Sequence, residues 1–398
     1  MIAILLLPLY IIFNYYIIRR SLKWLKSCHE FFGKKGFIYT YIVVYVLLAA
    51  SPLIGFLWPT DNVLKRGIMH VANYWFAICI YMLLFVVVAD ILVKILWKCK
   101  VISSDLYHSK KAFSITGGVV LAATAAMCIY GVINARVVQV NNYEVDVEKT
   151  CEAGDELNVV LLADLHIGYN VGCAQMERMV EKVNAQDADI IVIAGDMFDN
   201  SYESLDDPKR LKEILMSMKC KYGVYCVYGN HDIEEPIIGG FTFGGKKNKL
   251  NDERMTAFIE SMDFKLLRDE STLVDDAFYI VGRRDKERPG NPKEERLDIA
   301  ELTKDLDQSK PIIVLDHEPR ELQETADAGA DLDLCGHTHD GQIFPGNLFI
   351  KLFWENACGY LKKDEMHNIV TSGVGLYGPD VRTFTDSEIC NVKVNFAD

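Results

Sequence analysis

The first third of the chain contains four long apolar stretches that are almost free of charged residues. A helix rises about 1.5 Å per residue, so roughly 20 apolar residues cross the hydrocarbon core of a bilayer. The helices of a soluble domain would show a polar face, which these stretches lack. We therefore predict a transmembrane region over residues 1–136, with helices over 2–18, 37–58, 68–93 and 112–135.

Basic residues between these stretches are distributed unevenly. Eleven lie in the connections after the first and third stretches, namely Arg19, Arg20, Lys23, Lys26, Lys34, Lys35, Lys94, Lys98, Lys100, Lys110 and Lys111. The opposite side has only Lys65, Arg66, Arg136 and Lys149. Because cytoplasmic loops carry the excess of Lys and Arg, the asymmetry predicts that the C-terminal part lies outside the cytoplasm.

Asp90 is the one carboxylate close to a predicted membrane core. Lys94 follows it by four residues on the same helical face, so we expect a simple ion pair between these two side chains. Nothing else in the helices suggests a transport path, and an anchor is the favoured interpretation.

Beyond residue 156 the pattern changes to short apolar runs that alternate with helical stretches. The runs NVVLLADLH, DIIVIAGD and GVYCVYGNHD enclose helical patterns over 175–184 and 209–218. Such alternation indicates a sheet with crossover helices. We assign residues 156–398 to this α/β domain, residues 137–155 to a polar linker, and 388–396 to an antiparallel strand.

Metal-binding residue types follow the predicted strands. They are Asp164, His166, Asp196, Asp199, Asn230, His231, Asp232, His317, His337 and His339. Five of the six histidines of the domain fall at these strand ends, where ligands gather in α/β sheets. Gly195 permits a close turn before Asp196.

Carboxylate, imidazole and amide groups together favour Mn, Fe or Zn over a thiolate site. The set is larger than one tetrahedral zinc ion uses, so we expect two divalent ions.

The motifs DLHIG, GDMFD, GNHD, DHEP and GHTH, in this order, resemble those of the calcineurin-like metallophosphoesterase superfamily. The segments GHTHDGQIFP and VTSGVGLYGPDVR resemble its bacterial membrane-associated phosphodiesterase branch. The resemblance implies a four-layer α/β/β/α sandwich and a dinuclear hydrolase that attacks a phosphate ester with metal-activated hydroxide.

The resemblance also implies residue roles. Asp164, His166 and His339 would hold one metal, Asn230, His317 and His337 would hold the other, and Asp196 would bridge them. His231 would act on the leaving oxygen, Asp232 would orient its ring, and Asp199 would lie behind the ligands. The arginines that could contact substrate phosphate are Arg283, Arg284 and Arg382, because a guanidinium suits bidentate phosphate binding.

Charge and cysteine content restrict the function further. The chain has a net charge of −13, the acidity lies in the C-terminal part, and nonspecific nucleic-acid binding needs a basic surface. Its 11 cysteines show no CxxC motif, which argues against a disulfide scaffold. We expect a membrane-anchored phosphoesterase acting on phosphodiester or pyrophosphate bonds, with lipid-linked substrates among the options. The alternative is a catalytically silent sensor that binds a phosphorylated ligand.

Overall fold

The computed structural model describes residues 2–235, 237–238, 241–242, 251–290 and 295–397. The chain divides into two compact units. The first consists of residues 1–133, 237–243 and 378–381, and the second contains residues 134–236, 244–377 and 382–398.

Long helices dominate the first unit. They are α1 (Ile2–Cys28), α2 (Lys35–Leu57), α3 (Val63–Lys98) and α5 (Lys110–Asn134), and the short helix α4 (Ser104–Tyr107) lies between α3 and α5 in the chain. Among the described residues, α2, α3 and α5 are long and apolar enough to cross a membrane. Three of the four expected spans are thus supported, while a span over residues 2–18 in α1 stays a prediction. The third helix is longer than expected, with 36 residues.

Polar contacts connect α1 to the other long helices. The Tyr10 hydroxyl donates to the Ala49 carbonyl over 2.9 Å, and the Trp24 indole donates to the Ser114 carbonyl over 2.8 Å. Asp90 on α3 accepts hydrogen bonds from Tyr16 and Arg20 of α1. The expected pairing with Lys94 is therefore corrected, because the carboxylate of Asp90 points to a neighbouring helix rather than along its own.

The second unit contains most of the strands. They are β1 (Val138–Val147), β2 (Glu156–Leu162), β3 (Ile190–Ala194), β4 (Val224–Val227), β7 (Lys265–Leu266), β8 (Glu270–Val274), β9 (Phe278–Gly282), β10 (Ile312–Leu315), β11 (Leu332–Cys335), β12 (Gly359–Lys363), β13 (Met366–Val370) and β14 (Ser387–Phe396). The two-residue strands β5 (Ile237–Ile238) and β6 (Phe241–Thr242) pair with each other in the first unit.

The helices of the second unit are short. They are α6 (Cys173–Asn184), α7 (Pro208–Met216), α8 (Glu253–Glu260), α9 (Ile299–Thr303), α10 (Leu322–Asp327) and α11 (Gly346–Phe349). Single 3-10 turns add Tyr202–Ser204, His339–Gly341 and Ile350–Leu352 here, and Glu30–Gly33 in the first unit. The predicted helices over 175–184 and 209–218 are confirmed as α6 and α7.

Two six-stranded sheets form the frame of this unit. Their strand orders are β1-β14-β2-β3-β4-β7 and β12-β13-β11-β10-β9-β8. β14 runs antiparallel to β2, as predicted, and parallel to β1 over all ten residues. The structure therefore differs from the expected linker over 137–155, because residues 138–147 form an edge strand instead.

The apolar pattern of each element explains its place. All five residues of β3 are buried, as expected of a strand covered on both faces. α6 buries Met176, Met179 and Val183, which lie three or four residues apart on one face. One core cluster combines side chains from both sheets, including Leu161 and Ile313. The sheets are thus packed on each other through apolar side chains.

Candidate metal centre

The polar residues predicted to bind metal lie just beyond the carboxyl ends of parallel strands. Asp164 follows β2 by two residues, Asp196 follows β3 by two, and His317 and His337 follow β10 and β11 by two. Asn230 follows β4 by three residues. The strands therefore deliver side chains from both sheets to one place.

Asp164, His166 and His339 form one buried group whose ligand atoms all lie within 4.8 Å of one another. The Nε2 atoms of His166 and His339 are 3.0 Å apart. The Nε2 atom of His339 is 3.6 Å from an Asp164 oxygen. The predicted first ligand set is thus brought together.

Asn230, His317 and His337 form the second group. The Oδ1 atom of Asn230 lies 3.0 Å from His317 Nε2 and 2.8 Å from His337 Nδ1. The two ring nitrogens are 3.2 Å apart. His317 Nδ1 is 2.9 Å from the Ala194 carbonyl, to which it can donate, and this leaves Nε2 free to bind a metal.

Asp196 lies between the two groups. Its Oδ2 atom is 3.6 Å from His166 Nε2 and 3.2 Å from His317 Nε2. Its Oδ1 atom accepts a hydrogen bond from the backbone N–H of His231 over 2.7 Å. One oxygen of this carboxylate therefore faces both groups, as a bridging ligand requires.

The backbone of the centre has an unusual conformation. Five ligand residues adopt positive φ angles of 44 to 75°, namely Asp164, His166, Asp196, His337 and His339. L-residues rarely adopt this region because their Cβ atom approaches the backbone too closely. In this conformation His337 and His339 point to different groups, although they are only two residues apart.

Gly195 has the role predicted from its lack of a side chain. Its φ angle is 84°, and an added Cβ would lie 2.6 Å from the Nδ1 atom of His317. The close approach lets the His317 ring pack over the turn that carries Asp196.

The donor chemistry of the centre fits divalent cations. Pairs of imidazole nitrogens about 3 Å apart repel unless a proton or a cation lies between them, and Asp196 adds negative charge beside both groups. Burial raises the pKa of Asp164 to about 6. Burial alone would also raise the pKa of Asp196, but His317 and His231 hold it well below its usual value. Such opposed shifts within one cluster are typical of functional sites.

His231 lies beside the first group, with its ring centroid 5.1 Å from that of His166. Its Nδ1 atom is hydrogen-bonded to the side-chain oxygen of Asn200. The predicted orienting residue, Asp232, instead accepts the backbone N–H groups of Phe198 and Gly229, both over 2.8 Å. The orienting contact is thus corrected from Asp232 to Asn200, because the Asp232 carboxylate is turned into the loop.

Two further residues surround the first group. Asp199 lies 3.5 Å from the Nδ1 atom of His166, and its role behind the ligands stays a prediction. Tyr377 packs against His231 and His166, with ring centroids 4.9 and 5.9 Å apart. Neither Asn200 nor Tyr377 was predicted, although Asn200 directly follows the GDMFD motif and Tyr377 lies inside VTSGVGLYGPDVR.

The three predicted substrate arginines have partners within the protein. Arg283 is 1% exposed and donates to Asp316 and Glu321 over 3.1 Å each. The backbone N–H of Arg284 donates to Asp269, and its guanidinium donates to the Pro289 carbonyl. Through these contacts, Arg283 and Arg284 stabilise the loop that follows β9.

Arg382 is fully buried, and its guanidinium lies 3.2 Å from the Nδ1 atom of His339. It also donates to backbone carbonyls, including that of Ser372 over 2.6 Å. The geometry makes it a support for a metal ligand. Contact of Arg283, Arg284 or Arg382 with substrate stays a prediction.

Every one of the 11 cysteines, all in the described part of the chain, is free. Cys335 lies beside Asp333 at the end of β11, with its thiol 3.5 Å from a carboxylate oxygen. The donor set of the centre thus consists of nitrogen and oxygen atoms.

Comparisons with known proteins agree with this geometry. Residues 157–341 match the family model for calcineurin-like phosphoesterases. An uncharacterised metallophosphoesterase of Campylobacter jejuni is 30% identical over 277 residues, covering 68% of this chain and 67% of that protein. A zebrafish transmembrane protein with a metallophosphoesterase domain is 31% identical over 286 residues, covering 70% of this chain and 62% of that protein.

A more distant relative is the UDP-2,3-diacylglucosamine pyrophosphatase LpxG of Chlamydia trachomatis. It is 24% identical over 220 residues, covering 47% of this chain and 64% of that protein. The chain spans about three fifths of the length of several curated relatives that it matches. The chain belongs to the calcineurin-like phosphoesterase family.

Proposed function

We propose that the protein is a membrane-anchored phosphoesterase that uses two divalent ions, Mn, Fe or Zn, to hydrolyse phosphodiester or pyrophosphate bonds. The observation that carries this proposal is the position of Asp196, with one carboxylate oxygen facing two separate groups of ligand atoms. The three core clusters, one shared by the sheets and two involving helices, support the expected four-layer sandwich.

The protein residues would bind and orient the reacting groups. Two ions held by the two groups would supply charge stabilisation and a water of lowered pKa. Asp196 and Asp164 would offset the cationic charge inside a buried site, and His317 would be kept in one orientation by the Ala194 carbonyl.

His231 would donate a proton to the leaving oxygen. Burial lowers its pKa to about 4, so the ring is neutral near neutral pH. Its Nδ1 atom is engaged by Asn200, which leaves Nε2 for proton exchange. An anionic phosphate beside the ring would raise this pKa and so favour the protonated form of the ring.

Lipid-linked substrates are supported by two features. The chain carries helices that can cross a membrane, and its relative LpxG is named for a pyrophosphatase activity on a diacylated sugar nucleotide. We place the catalytic domain outside the cytoplasm, because the basic residues of the membrane region are concentrated in two connections on the other side.

A metal-depletion experiment tests the proposal. Full-length protein stripped of metal should lose hydrolysis of an aryl phosphodiester and regain it when Mn is added. Asp196→Asn should lower kcat by at least about 100-fold, because the variant loses the charge shared by both metals. Hydrolysis rate and bound metal would be measured together.

Asp187→Asn is the matched control. Asp187 is an exposed aspartate with a φ angle of 50°, close to the 52° of Asp196, so it tests the substitution without touching the centre. Failure of every metal to support hydrolysis of mono- and diesters would contradict the proposal. Ligand binding that survives His231→Ala without turnover by the wild type would favour the sensor alternative.

A further inference from the structure

An exposed apolar patch follows the metal ligands along the chain. The segment 346–353 contains α11 and the 3-10 turn that follows it. Four of its side chains are more than half exposed, namely Leu348 at 60%, Phe349 at 56%, Leu352 at 76% and Phe353 at 77%. Phe384 is 57% exposed and lies beside the segment, because its carbonyl accepts a hydrogen bond from Asn347. These five residues are called the apolar patch.

Helical spacing explains why the patch is continuous. α11 leads directly into the 3-10 turn Ile350–Leu352, so Leu348 and Leu352, and likewise Phe349 and Phe353, are four residues apart. Residues with this spacing lie on one side of a helical segment. The segment is therefore apolar on its outer side, with the exposed Lys351 among the apolar side chains.

The size of the patch argues against a stable dimer. Five such side chains offer on the order of 500 Å² of apolar surface, whereas a stable interface buries about 800 Å² on each partner. A lipid surface has no such requirement, because short segments rich in Phe and Leu with basic residues insert their apolar side shallowly.

A lipid surface is available to this unit because the same chain carries helices that can cross a membrane. β1 begins at Val138, only four residues after α5 ends at Asn134, and four residues span at most roughly 14 Å. The unit that carries the patch is therefore joined by a short connection to α5, a helix long and apolar enough to cross a membrane.

We propose that the apolar patch docks into the boundary between lipid headgroups and acyl chains. Trp354 comes next in the chain, with its ring centroid 5.1 Å from that of His337 and with Arg320 stacked over it at 4.5 Å. Docking would thus bring the His337 side of the metal centre to lipid headgroups. This consequence for substrate choice rests on the proposed function, while the docking itself does not.

Site-specific cross-linking tests the docking. Full-length protein with Leu352→p-benzoylphenylalanine would be reconstituted in vesicles of equal parts phosphatidylcholine and phosphatidylglycerol, irradiated, and digested for mass spectrometry. The matched control replaces Met216, an apolar residue of α7 that is 52% exposed outside the patch. We expect about tenfold more lipid adduct at Leu352, since interfacial segments bury their apolar side about 5–10 Å deep.

Equal lipid adduct at both positions, or adduct from Leu352 to a second copy of the chain, would overturn the docking. The same replacement at Phe353, which is equally exposed, guards against a folding defect at one position. Hydrolysis of the soluble aryl phosphodiester is measured separately on the same samples. Loss of that activity with lipid adduct retained would count against the proposed function alone.

Discussion

Several residues of the metal centre adopt backbone conformations that are unfavourable for an isolated residue. A non-glycine residue in the left-handed region costs on the order of 1 kcal/mol or more, and five ligand residues adopt it. Such conformations persist only where neighbouring contacts fix them, as when His337 donates its N–H to Asp164 over 2.9 Å. The surrounding fold therefore stabilises the ligand geometry before any ion binds.

Asp333 is unfavourable for a different reason, because its ionisable carboxyl group is buried. Its side chain is 1% exposed, its Oδ2 atom accepts from Asn368 over 2.9 Å, and burial raises its pKa to about 7. The folded protein thus binds this proton more tightly than the unfolded chain. Stability contributed by Asp333 must therefore fall as pH rises from about 4 to 7.

Asp333→Asn should remove this pH dependence. At about pH 8 the variant should exceed wild type in unfolding free energy by on the order of 2 kcal/mol, and the gain should vanish near about pH 5. The thermal midpoint of the detergent-solubilised protein at both pH values measures the effect. A gain of the same size at both would show that ionisation of Asp333 is not the cause.

At the scale of elements, the centre depends on short turns after the strands. The β3 strand ends at Ala194, Gly195 turns the chain, and Asp196 emerges facing both ligand groups. Glycine is needed at position 195 because the His317 ring occupies the space that a Cβ atom would fill there. The shape of the turn at Gly195 therefore determines where the Asp196 carboxylate lies.

Gly195→Ala should disturb both. The added methyl group would collide with the His317 ring, and we expect metal affinity to drop by about 10- to 100-fold, as when the support of a ligand is lost. Isothermal titration with Mn measures this.

Gly223→Ala is the matched control for this prediction. Gly223 has a similar φ angle of 94°, but an added Cβ there would meet nothing within 4 Å. It should cost stability from backbone strain and leave metal binding unchanged. Equal loss of affinity in the two variants would show that strain, rather than the collision with His317, is responsible.

Elements with a strong apolar pattern could be predicted from the sequence, and those with a mixed pattern could not. The helix expected over 175–184 is α6, Cys173–Asn184, because its apolar residues repeat at helical spacing. β1 was missed because half of VQVNNYEVDV is polar, its apolar alternation is interrupted at Asn141 and Asn142, and it has one neighbour among the described strands, β14. Motifs located the ligand residues, but the Asn200 contact depends on packing between loops that no local pattern records.

At the scale of the whole molecule, charge separates the chain into two parts. The basic residues of the first part lie mainly in the connections that follow α1 and α3 or at the helix ends next to them, while the second part is acidic. This separation supports an extracytoplasmic catalytic domain, because the excess of Lys and Arg marks the cytoplasmic side.

The orientation can be tested with reporter fusions. A reporter enzyme that matures only outside the cytoplasm should be active when fused after Asp398 and inactive when fused after Ser103, which lies in the basic connection after α3. Activity would be measured in intact cells. The reverse pattern would place the catalytic domain in the cytoplasm.

The pairing of β1 with β14 has a consequence for how the protein is made. β1 is the first strand of the second unit to leave the ribosome, yet its one partner among the described strands comprises residues 387–396. Pairing across such a long separation is slow, and an unpaired edge strand is prone to wrong association. The sheet can be completed only after residues 387–396 have been synthesised, so β1 stays without this partner strand while the rest of the second unit is made.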